Sequence, residues 1–276
     1  MSSRGKTLAI TLTVVVVVAV GGFLGVRALF NVAKHTLAYP YCDVGAYELD
    51  PSQASVAAQM VGEVTRYSPT LPERAAVLAL AAGLQESKLT NLPGGDRDSV
   101  GVLQQRPSQD WGNPPGNVAS LMNVTEATRE FLNHLRRIDG WETMDLATAV
   151  QAVQISADGS LYAQHEDEAQ ALADALQGKV PAGITCTINK PTQVATTAEV
   201  ITALRAQLPV NTPTTVDKTI TVPGAHWQTA AWFVANADRY GIDSVSYAGK
   251  TWTRAHQWRT SSAASSEVAA TLATIK

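Results

Sequence analysis

Residues 75–84 (AAVLALAAGL) form a run without a single polar side chain. A helix that is apolar on every side is buried on every side. Thr70 and Glu73 stand three apart with Pro72 between them, the spacing of a capping box, so the helix is expected to open there. It closes on Gln85-Glu86-Ser87-Lys88, which sets a carboxyl group where the chain leaves the core. Burial raises a carboxyl pKa and suits it to general-acid work near neutral pH; a surface glutamate in a fraying last turn is the alternative. Before this helix, Asp50-Pro51 reads as an N-cap and first helical residue, opening a helix to about Tyr67 with Val56, Met60 and Val64 on one face. Ser68-Pro69 breaks it. Helical spacing returns at 123–137, with Phe131, Leu132 and Leu135 inward, at 145–156, and from about Leu161 to Gln177, closed by Gly178.

Polar and apolar order changes at both ends of the chain. Leu8 to Val26 carries no charge over a length that suits a bilayer core, and Arg27 follows directly with no small-x-small cleavage site. An uncleaved anchor is expected, with a cleaved signal as the alternative. Thr, Val, Pro and Lys dominate from 187 to 222, which reads as a linker interrupted by a short helix at 197–207. Residues 226–239 then suit one helix, and Ser244–Tyr247 and Thr251–Arg254 flank a turn at Ala248-Gly249-Lys250, as in a hairpin. Four of the six Trp fall in this last segment: Trp227, Trp232, Trp252 and Trp258. They serve either as a small core or, for one or two of them, as an exposed binding surface.

Between the helical patterns lies 91–107 (NLPGGDRDSVGVLQQRP), a loop rich in Gly, Pro and Asp that can bring backbone close to a ligand. Here the chain resembles the goose-type lysozymes and lytic transglycosylases of the lysozyme superfamily. The resemblance rests on Glu86-Ser87 at the end of a buried helix, then Gly95-Asp96-Arg97, then Gly101-Val102-Leu103-Gln104 with Pro107 three residues on. The motif covers about 25 residues, and weaker similarity continues to about residue 177. It implies a mainly α, lysozyme-like helical domain and cleavage of the β-1,4 glycan strands of peptidoglycan. Glu86 would be the general acid. Asp96 aligns with a water-holding aspartate, although Asp98 competes for that alignment. Ser87, Gly101, Gln104 and Tyr162 would contact substrate, with Tyr162 opposite the acid; Gln154 either lines the cleft as well or ties down a neighbouring loop, and Trp111 either walls a sugar cleft or closes the core under the loop.

One departure matters. The goose type places an aspartate two residues after the G-x-x-Q glutamine, and this chain has Arg106 there. Hydrolysis and transglycosylation therefore both stay open, as does a local role for Asp96-Arg97-Asp98 in holding the loop. From another class, a non-catalytic wall-binding or envelope scaffold protein is the competing reading.

Composition narrows the field further. A formal charge of −3, without a basic, aromatic-studded patch, gives no footprint for nucleic acid. Five dispersed His and no CxxC leave no metal signature, and no phosphate or dinucleotide loop points to a cofactor. The only cysteines, Cys42 and Cys186, bracket the helical region. An even count after an export segment favours a disulfide, against two unrelated buried thiols. The expected organisation is a short cytoplasmic stretch at 1–7, a transmembrane anchor at 8–26, an exit linker at 27–49, and a lysozyme-like domain at 50–186. A linker at 187–222 and a small Trp-rich α+β module at 223–276 complete it. Such a protein sits in the cell membrane by a single pass, its bulk extracytoplasmic.

Overall fold

The computed structural model describes residues 39–156, 158–261 and 265–275. Strands β1 (Tyr41–Val44) and β2 (Tyr47–Leu49) form a hairpin that leads into α1 (Pro51–Arg66) and α2 (Arg74–Ser87). After a long loop come the short α3 (Val118–Leu121), α4 (Val124–Leu135) and α5 (Leu146–Gln154). A 3₁₀ segment (Gly159–His165), α6 (Glu166–Leu176) and β3 (Ile184–Thr187) complete this half. Then follow α7 (Thr197–Gln207), β4 (Thr214–Val216), β5 (Thr219–Val222), α8 (Trp227–Ala235) and α9 (Ala237–Tyr240). The last strands are β6 (Ile242–Tyr247), β7 (Lys250–Thr253), β8 (His256–Thr260) and β9 (Val268–Leu272).

The mainly α expectation is overturned. Among the described residues 43% are helical and 18% lie in strands, and the strands build two antiparallel sheets ordered β2-β1-β3 and β4-β5-β9-β6-β7-β8. Two short strands in the expected exit linker pair with each other, and the first of them also pairs with a third placed far along the chain at 184–187. The expected linker at 187–222 is also folded. Its Thr and Val residues are β-branched strand formers, and Ile220 and Val222 of β5 are fully buried against β9. Nor does 223–276 stand apart as a module, because residues 40–276 form one compact unit. The apolar run 8–26 lies outside the described residues. Among the described residues, no helix is long and apolar enough to cross a membrane.

Helix α2 is the axis of the helical part. Every residue from Ala75 to Leu84 is buried, and α1, α4, α5, α6 and the 3₁₀ segment all pack on it. Its alanines let those neighbours approach closely while keeping high helix propensity. The helix starts at Arg74 without the expected Thr70–Glu73 box, and Glu73 instead pairs with Lys179 at 2.6 Å. At its far end Lys88 and Leu89 both turn left-handed, and their N–H groups close the last turn on the Leu84 and Gly83 carbonyls. Helix α1 has the reciprocal start, in which the Asp50 N–H donates to Gln53 Oε1 at 2.7 Å.

Buried polar contacts hold the C-terminal half together and join it to this bundle. Ser55 of α1 donates to Asn236 Oδ1 (2.7 Å), and Trp232 Nε1 donates to Gln207 Oε1 (2.6 Å). The Arg254 guanidinium, almost fully buried, donates to the carbonyls of Ile242, Ala237 and Asn189. The hairpin β6–β7 turns through Ala248-Gly249, both at positive φ, as a two-residue turn requires. Trp252 and Trp232 are core residues. Trp258 and Trp227 are half-buried and meet edge to face at 5.3 Å. Indole N–H groups of Trp252 and Trp258 donate to the Cys186 and Ile184 carbonyls of β3 (2.9 and 2.8 Å). Four tryptophans are thus absorbed by packing and hydrogen bonding in the fold.

Cys42 and Cys186 are directly paired in the β1–β3 register and joined by a disulfide, their Cα atoms 3.9 Å apart. The bond closes the entrance of the helical region onto its exit.

Candidate functional site

The end of α2, the loop after it and the C-terminal end of α5 enclose a cleft of about 630 Å³. Glu86, Asp96, Gln104, Trp111 and Gln154 line it, together with Ser156 and Ile155 just beyond α5. Residues separated by almost seventy positions are therefore gathered around one carboxyl group.

Glu86 is half-buried, and the Tyr162 hydroxyl donates to its Oε1 at 2.5 Å. Burial pushes the Glu86 carboxyl above its ordinary range, while the bonds from Tyr162 and the Gln154 amide pull partly against that rise. Tyr162 itself, buried beside a carboxylate, is held well above the usual phenol range and stays a hydrogen donor. Just beyond α5, the Ser156 hydroxyl donates to Gln151 Oε1, and Gln151 Nε2 returns a bond to the Ser156 carbonyl, both 2.6 Å.

The loop is fastened at several points. Ser87 Oγ donates to the Val102 carbonyl (2.7 Å) and accepts from Thr90 N–H (3.1 Å). Val100 and Gly101 pair back on Gln105 and Leu92 in a miniature hairpin. Gly101 sits at φ +80° with the Leu121 carbonyl 2.3 Å from where a Cβ would stand, so only glycine fits. Gln105 Nε2 donates to the Ala127 carbonyl, and Gln154 Nε2 to that of Leu103. Ser87 and Gly101 therefore shape the cleft's wall from behind rather than line it. Gln154 both ties the loop and lines the cleft, and its Oε1 is a buried acceptor with no partner among the described residues. Gln104, left-handed at φ 47°, donates back to the Gly101 carbonyl (2.9 Å).

The two candidate aspartates separate. Asp98 accepts from Arg106 Nε (2.8 Å) and from Ser108 N–H (2.7 Å). The Ser108 bonds first, then Arg106, hold its carboxyl well below the usual range. It is a clasp for the loop. Asp96 faces the cleft with its side chain almost wholly exposed and only a 4.0 Å approach to Arg97. Trp111 stacks on His134 at 4.2 Å between ring centres, and burial lowers the His134 pKa, so the stack is favoured with a neutral imidazole.

Sequence reasoning missed Gln105, Ile155 and Ser156. The opposite charges of Asp98 and Arg106, eight apart in a glycine-rich loop, were the available signal for the clasp. Ile155 gave none, since it reads as one more apolar position of α5. Among the described residues no cluster of His, Cys, Asp and Glu could hold a metal ion. No protein-family model matches the chain, and neither does any curated protein.

Proposed function

We propose that this protein cleaves the glycan strands of peptidoglycan, with Glu86 as general acid. The observation that carries the reading is a half-buried glutamate of raised pKa, held by Tyr162, in a polar cleft large enough for a sugar. Glu86 gives its proton to the glycosidic oxygen as the bond to the anomeric carbon breaks, and positive charge builds on that sugar ring. Tyr162 then stabilises the new carboxylate through Oε1. Gln154 and Trp111 border the same cleft, Trp111 largely buried and stacked on His134. Likeness of the Glu86-Ser87, Gly95-Asp96-Arg97 and Gly101–Gln104 segments to the lysozyme superfamily supports the same assignment.

Asp96 is the carboxylate available to hold a water for hydrolysis, because Asp98 is engaged by Arg106. A transglycosylase would use the sugar's own 6-hydroxyl and would not need it. The disulfide, together with the uncharged run 8–26, supports export to an oxidising compartment, where the glycan strands lie.

Digestion of purified sacculi followed by mass spectrometry of the products tests the proposal. Reducing ends with a strong loss in Asp96→Asn identify a muramidase. Anhydro-sugar ends with Asp96→Asn nearly unaffected identify a transglycosylase. Glu86→Gln should lower either rate by about 10²–10⁴-fold, the usual contribution of a positioned acid. An inert parent protein that still sediments with sacculi would make this a wall-binding protein instead.

A further inference from the structure

We infer that Ile155 is a specificity-determining contact of the cleft, covering an apolar patch on a saccharide ring bound between Glu86 and Gln154. The inference rests on the glycan reading above. Ile155 terminates α5 at φ 51°, in the left-handed region, with its N–H donating to the Gln151 carbonyl at 2.8 Å. That conformation is ordinary for Gly or Asn at a helix end and is a true outlier for a β-branched residue. The same side chain is 82% exposed, the most exposed of the large apolar residues described. Neither local backbone preference nor burial in the core accounts for an isoleucine here. Of the exposed large hydrophobic residues, it alone lines the Glu86 cleft.

The rest of the lining sets what the side chain can meet. Glu86, Asp96, Arg97, Gln104, Gln154 and Ser156 are polar or charged members, and Trp111, largely buried, is the other apolar one. A ligand that suits this wall carries hydroxyl or amide groups around its edge and C–H groups on its face. A pyranose ring with N-acetyl substituents has that distribution. A strained, exposed side chain at a cleft is a recurrent sign that local stability yields to a contact made only with the ligand bound.

The test uses the full chain carrying Glu86→Gln, so that the ligand is not consumed, and a β-1,4-linked N-acetylglucosamine tetramer as the probe in calorimetry. Adding Ile155→Gly should weaken binding about tenfold, the effect of exposing part of one aliphatic side chain again. The melting temperature should hold or rise, since glycine suits the left-handed position. Ile155→Val, which keeps the branched surface, should bind within about twofold of the parent, having lost one methylene. Equal binding by the parent and Ile155→Gly, or an equal loss in Ile155→Val, overturns the role of Ile155 and leaves the glycan reading standing. Absence of tetramer binding in every variant removes both together.

Discussion

Reduction of the Cys42–Cys186 bond should destabilise the protein by about 3–5 kcal/mol. The upper figure follows from the 144-residue separation of the two cysteines: the chain-entropy relation gives about 17 cal/mol/K, or about 5 kcal/mol at 25 °C. Residual structure in the unfolded chain brings the ends nearer and lowers that value. Reduction is a cleaner perturbation than substitution, because both sulfurs lie in the core and replacing them would also leave a cavity. The assay is guanidinium denaturation of the full chain with and without reductant, with thiol titration to verify complete opening. The reduced protein should unfold at lower denaturant and with a steeper slope, since an unlinked chain exposes more surface. A loss below about 1 kcal/mol with both thiols titratable would refute the loop-entropy reasoning. Stability would then reside in the β1–β3 pairing and the tryptophans behind it.

Two other expectations concern the site. Because burial raises the Glu86 pKa above 4.5, the folded state keeps that proton to higher pH than the unfolded chain. The parent therefore loses stability as pH rises through the window above 4.5, and Glu86→Gln, which cannot ionise, does not. The melting-temperature advantage of Glu86→Gln should grow between pH 4 and pH 7; an advantage that stays flat or shrinks contradicts the burial argument. Gly95→Ala would put a Cβ 1.7 Å from Gln104 Oε1. Only the end of a flexible side chain has to yield, so the melting temperature should barely change, while tetramer binding to the Glu86→Gln protein should fall about tenfold as one net hydrogen bond is lost. Unchanged binding would mean that Gln104 does not contact the ligand.

The helices were legible because their signals are local. An all-apolar run from Ala75 to Leu84, an Asp-Pro start and a closing Gly178 each specify structure within a few residues. The strands were not, because a three- or four-residue segment such as 41–44 carries little pattern and its partner at 184–187 is remote. Residues 214–222 misled for a related reason. Thr and Val in polar company suit both a tether and a strand, and only the partner β9, some fifty residues on, decides between them. In the site, Glu86, Asp96, Gln104, Trp111, Gln154 and Tyr162 were named from spacing and resemblance, and the fold brings them to one place. What spacing could not supply was the division of labour: Asp98 bound by Arg106, Ser87 and Gln105 fastening the loop, and a solvent-facing isoleucine at the mouth.

One packing detail reaches beyond the site. Strand β3 is one of the two outer strands of its sheet, and such strands invite pairing with another chain. Here the Ile184 and Cys186 carbonyls are taken by the indoles of Trp258 and Trp252, and the Ile188 N–H by the Arg254 carbonyl. A side chain cannot serve as a template for further strands in the way that backbone can. The three-stranded sheet is thereby capped along its β3 edge, and the same two tryptophans that join the halves of the molecule keep separate molecules from zipping together there.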